Sequence, residues 1–86
     1  MPTISRFLGI VIQMYFDEHA PPHFHARYSG FQATVRIDPV GILDGALPPR
    51  VHGLVVEWGL LHREALLENW ERARARRPLD SIPPME

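Results

Sequence analysis

A pair of prolines, Pro48-Pro49, divides this chain into two hydrophobic periodicities, and that change constrains the fold more than any other feature. Before it, apolar residues alternate one by one, as they do along a half-buried strand. Ile10, Ile12, Met14 and Phe16 make a wholly apolar face, with Val11, Gln13 and Tyr15 on the other. Further on, Ala33, Val35 and Ile37 alternate with Gln32, Thr34 and Arg36. After the prolines, Val51, Leu54, Val55, Trp58, Leu61, Ala65, Leu66, Trp70 and Ala73 recur at steps of three and four, the stripe of an amphipathic helix. Proline suits a first helical turn, where its missing N–H would have been unpaired anyway.

The turn residues fill in the strand half. Gly9 predicts a turn or bulge between a first strand holding Ile4 to Leu8 and a second over 10–16. Consecutive prolines at 21 and 22 exclude a central strand there, so 17–22 is a loop. Strands over 23–28 and 32–37 are joined at Ser29-Gly30, and Asp38-Pro39 ends the second of them. Ile42-Leu43 adds a short edge strand before Asp44-Gly45, a strong turn signal.

These elements predict an α+β, two-layer sandwich. A small, mostly antiparallel sheet of three to five strands packs on a C-terminal α-helix, long or broken. Residues 1–79 form one domain, β-rich over 3–43 and helical over 49–77, and 80–86 form a flexible C-terminal tail. A continuous helix over 50–76 would run about 40 Å, whereas a seven-residue strand spans about 23 Å. The excess predicts a break near 59–62, with Gly59 its expected place, and a homodimer in which a second subunit covers Trp70.

The helix is expected to cover Ile10, Ile12, Met14, Phe16, Phe24, Ala26, Val35 and Ile37. By parity the opposite face then carries Gln13, Tyr15, His23, His25, Arg27, Thr34 and Arg36. Three of the five histidines fall between His19 and His25, just where the proline loop enters a strand. The chain therefore mounts a candidate site on a sheet.

Composition sets limits on that site. Apolar residues make up 45% and charged residues 22% of 86 residues, ordinary values for one small globular domain. With no cysteine there is no thiolate ligand or nucleophile, which fits a reducing cytoplasm. No run of about 18 apolar residues and no signal-like N-terminus is present, so the expectation is a cytoplasmic protein without a membrane partner. A formal net charge of −1 lacks the overall footprint of a strong nucleic-acid binder, and RNA contact would rest on a local patch. All nine basic residues are arginine, which codon usage explains as well as chemistry does.

Beyond composition, Met1-Pro2-Thr3-Ile4, Gly9-Ile10-Val11-Ile12 and the segment from Asp17 ending in Pro21-Pro22-His23-Phe24-His25 resemble a small prokaryotic family, domain of unknown function 4160. Val56-Glu57-Trp58, His62-Arg63-Glu64 and Leu66-Leu67-Glu68-Asn69-Trp70 resemble its C-terminal half. The resemblance implies a free-standing domain acting in a toxin–antitoxin-like pair, beside a cognate small protein. It carries no catalytic assignment.

Four readings of the histidine segment stay open. As an RNase-like toxin, His23 and His25 would act as acid and base with Tyr15 beside them, while Arg27 and Arg36 hold phosphate. As a divalent-metal site, zinc for example, His19, His23 and His25 would be joined by Asp17 or Glu18. As a binding module, the face would meet a partner protein or a second copy. As architecture, the imidazoles would tie the proline loop to its strand. Elsewhere the basic run Arg72 to Arg77 suits a helix C-terminus, where cations meet the dipole favourably. His52, His62 and Glu57 read as surface or helix-bend residues.

Overall fold

A computed structural model describes residues 2–86. Five strands, β1 (Thr3–Phe7), β2 (Ile10–Gln13), β3 (His23–Tyr28), β4 (Phe31–Ile37) and β5 (Val40–Ala46), form one antiparallel sheet in sequence order. Two helices follow, α1 (Pro49–Leu61) and α2 (Arg63–Arg74), and pack against the sheet as an α+β arrangement.

The strand connections are short because the turn residues are apt. Leu8 and Gly9 both have positive φ (50° and 79°), the requirement of a two-residue hairpin turn whose twist matches its strands. Ser29, at φ 53°, takes a similar role between β3 and β4. Register then sets the faces. Ile12 pairs with Ala26 and Ala26 with Ala33, while Phe24 pairs with Val35 and Val35 with Ile42. Ile10, Ile12, Met14, Phe24, Ala26, Val35 and Ile37 are all buried beneath the helices, as the alternation predicts. Trp58 fills the centre, its ring 5.5 Å from Phe7 and 5.7 Å from Phe24.

Several expectations need correction. Phe16 is exposed, because β2 ends at Gln13 and the chain turns at Phe16 and Asp17, so strand parity no longer governs its side chain. Asp44-Gly45 is no turn: both lie inside β5, which has seven residues and carries the β-rich part to Ala46. A bulge lies two residues before the glycine. Val35 pairs with Ile42 but Thr34 with Asp44, so Leu43 is the extra residue. Gly45 has φ +81°, and a Cβ there would sit 2.3 Å from the Gln32 carbonyl oxygen.

The helix does break within the expected window, but at His62 and not at Gly59. Gly59 allows α1 to approach the sheet, since a Cβ there would lie 3.2 Å from Val40 Cγ2 and 3.6 Å from the Phe24 ring. At His62 (φ −114°, ψ 24°) the His62 N–H still donates to the Trp58 carbonyl, and the Leu66 N–H to the His62 carbonyl. The axis bends with these two backbone hydrogen bonds kept. The longest dimension of the fold is 33 Å, less than a straight helix over 50–76 would need. Bending also interrupts the stripe, leaving Leu61 and Ala65 exposed, and helix ends at Arg74, short of 77.

The bend brings Trp70 back onto its own chain. It is 2% exposed and stands 5.0 Å, ring to ring, from His23, so the overhang that called for a second subunit does not exist. Residues 80–86, expected as a flexible tail, lie against the body. The Ile82 N–H donates to the Ile4 carbonyl along the outer edge of β1, and Trp58 Nε1 donates to the Pro83 carbonyl. Asn69, 1% exposed, exchanges two hydrogen bonds with the Asp80 backbone, at 2.9 and 3.0 Å. Among the described residues no helix is long and apolar enough to cross a membrane.

Candidate metal centre on the open face of the sheet

The sheet face away from the helices carries a row drawn from four strands or their ends: Gln13 pairs with His25, His25 with Thr34, and Thr34 with Asp44. In the next row Arg27 lies between Val11 and Gln32. Between these residues is a cleft of about 360 Å³, lined by Tyr15, His25, Arg27, Thr34 and Asp44 among others.

At one end of the row three side chains converge. The loop after β2 passes through Asp17 in the left-handed region (φ 64°), and the two neighbouring acids part company there. Asp17 turns outward to accept from Arg76 Nη2 at 2.5 Å, beyond the end of α2. Glu18 turns inward, its Oε1 2.7 Å from His25 Nε2 and its Oε2 3.6 Å from His23 Nε2.

The imidazoles are held from behind. His23 Nδ1 lies 2.8 Å from the Pro21 carbonyl oxygen. A carbonyl only accepts, so Nδ1 carries the proton, and in the neutral ring Nε2 presents its lone pair toward Glu18. The proline loop is therefore what sets this tautomer. Trp70 covers the other side of the ring, and His23 is 7% exposed. His25 is half-buried; its Nε2 donates to Glu18, its Nδ1 is 3.5 Å from Thr34 Oγ1, and Tyr15 lies 4.4 Å away, ring to ring. The two imidazoles meet edge to face at 5.3 Å.

One ligand atom from each of Glu18, His23 and His25 lies within 4.8 Å of the others. First-row divalent ions take nitrogen and carboxylate oxygen at about 2.0–2.2 Å, which places neighbouring donors about 3.0–3.5 Å apart. The gap between His23 and Glu18 is already near that range. Binding at His25 needs its Nε2 proton moved to Nδ1, where the Thr34 hydroxyl can accept it. Of the three candidate ligands, His25 also lines the cleft.

The residues singled out from sequence divide accordingly. His23, His25 and Tyr15 come together. Asp17 and His19 do not: Asp17 is committed to Arg76 and His19 is exposed, so the acid of the group is Glu18. Arg27 lines the cleft, whereas Arg36 donates its Nε to the Pro39 carbonyl at 2.9 Å and braces the β4–β5 turn. Trp70 and Thr34, given no role in the site from sequence, back the two imidazoles. From sequence Trp70 stood out only as a large ring in need of cover, which was assigned to a second subunit.

In class, the molecule is an α+β domain with a five-stranded antiparallel sheet, covered by helices on one face and bearing a two-histidine, one-carboxylate group on the other. The family model described as Domain of unknown function (DUF4160) matches residues 9–71, and the chain belongs to that family. Comparison with curated proteins and with solved structures gives no match.

Proposed function

We propose that this domain binds a first-row divalent metal ion, with Glu18, His23 and His25 as its protein ligands. The convergence of their donor atoms within 4.8 Å carries the reading. Two imidazoles and one carboxylate suit Zn²⁺, Mn²⁺ or Fe²⁺, and the backing of His23 by a carbonyl is the usual outer support of a ligating histidine. Geometry favours this over a metal-free acid–base pair. Such a pair must bracket the reacting phosphorus from opposite sides, whereas here both Nε2 atoms converge on a single carboxylate.

The test is calorimetric titration of chelator-treated protein with Zn²⁺ and Mn²⁺, beside His23→Ala/His25→Ala. One ion per chain should bind to the wild type and not to the variant. Equal binding by both, or none by either, would sink the reading.

A second reading concerns partners: the domain pairs with a second copy, or with a cognate small protein as one half of a toxin–antitoxin-like pair. The support is an asymmetry of the sheet edges. Ile82 bonds to the outer edge of β1, while β5 pairs only with β4 and exposes Leu43. Light scattering after gel filtration checks self-association, and Leu43→Pro should return any dimer to monomer.

A further inference from the structure

The cleft beside the triad contains a cation that the protein leaves uncommitted. Arg63, Arg72 and Arg76 pair with Asp38, with Glu68 and Asp80, and with Asp17 respectively, and Arg36 is tied to a backbone carbonyl. Arg27 is exposed and, like Arg6, Arg50, Arg74 and Arg77, makes no ion pair among the described residues; of these five it alone lines the cleft. It stands two residues along β3 from His25, hence on the same face and about 6.7 Å away along the strand. Both line one cleft.

Resting on the metal reading, we infer that this cleft binds a phosphate ester of a hydroxyl-bearing group, of nucleotide size. One phosphate oxygen occupies an open position of the ion held by Glu18, His23 and His25. A second accepts from the Arg27 guanidinium, whose planar fork matches phosphate geometry. The other end of the cleft has the opposite character. Asp44 lies in the row of His25 and Thr34, two strand spacings or about 10 Å from His25. A carboxylate there repels phosphate and accepts from a hydroxyl, so the ligand lies with its phosphate toward β3 and its sugar toward β5. The volume of about 360 Å³ suits one such unit and not a duplex.

The experiment titrates adenosine 5′-monophosphate, inorganic phosphate and adenosine into Mn²⁺-treated protein, for the wild type, Arg27→Gln and Asp44→Asn, with Mn²⁺ binding measured separately on each. The monophosphate should bind the wild type and adenosine should not. Arg27→Gln should weaken the monophosphate about tenfold and leave Mn²⁺ affinity unchanged. Asp44→Asn should weaken the monophosphate about threefold without weakening inorganic phosphate. Mn²⁺ binding with no monophosphate binding, or with affinity indifferent to Arg27, overturns the cleft assignment and leaves the metal site standing. If Mn²⁺ does not bind and monophosphate binding still depends on Arg27, the metal reading falls and the arginine subsite survives. Equal binding of adenosine overturns phosphate recognition outright.

Discussion

The two faces of the sheet are built from the same strands and answer to different physics. Toward the helices, Ile12, Met14, Phe24 and Val35 are fully buried and carry only shape. One residue along each strand, Gln13, His25, Thr34 and Asp44 form a row of hydrogen-bonding groups, half-buried or exposed for the most part. The closed face has nothing to offer a ligand; the open face adds little to stability. Parity along a strand therefore separates architecture from chemistry, and substitutions on the two faces should separate melting from binding.

The strongest attempt to break that contrast is Trp58→Ala. It removes one of the two largest side chains of the core and its bond to the Pro83 carbonyl, and should cost about 3–5 kcal/mol in urea unfolding, enough to endanger a domain this small. Asn69→Leu should cost about 2 kcal/mol, because the N–H and carbonyl of Asp80 lose their partners where the terminal segment returns to α2. Gly59→Val crowds Val40 and the Phe24 ring, with about 1–3 kcal/mol expected. On the open face His25→Ala should shift stability by less than about 1 kcal/mol yet reduce metal affinity about a hundredfold or more. A His25 variant that melts like Trp58→Ala would erase the distinction.

The smallest effect belongs to Arg72. Its guanidinium is raised above the ordinary arginine value, first by the hydrogen bond to Glu68 and then by the charge of Asp80. A raised cation contributes fully below its unfolded value and loses that contribution only as pH climbs through the folded one, in strong alkali. The slight loss in Arg72→Gln should therefore not grow between neutral and mildly alkaline pH, as thermal melts would show.

The sheet was legible in the sequence wherever alternation ran unbroken. Ile10 to Met14, Phe24 to Ala26 and Ala33 to Ile37 fell on their expected sides because a regular strand has no other way to bury them. Phe16 and Gly45 misled for one reason: a residue with positive φ stood in or beside the pattern, Asp17 in the first case and Gly45 itself in the second. Backbone reversals of this kind redirect side chains without changing composition. The same reversal decided the site. Asp17 and Glu18 are adjacent acids of equal promise, and only the path of the loop sends one to Arg76 and the other to the imidazoles. The helix break followed from length, but its position at His62 depended on contacts that spacing does not encode. Asn69 was illegible for a similar reason, its partner being the backbone of Asp80 in a segment that looked free.

The contact between Trp70 and His23 makes the candidate site observable without a label. Indole emission responds to whatever occupies an adjoining imidazole, and a paramagnetic ion such as Cu²⁺ or Ni²⁺ at His23 would quench it by proximity. Trp58, 5.3 Å from His62, adds its own signal, so a Trp58→Phe background would leave Trp70 as the sole tryptophan. In that background the optical record of a titration becomes a record of one ring against one histidine, read in real time on the unmodified site.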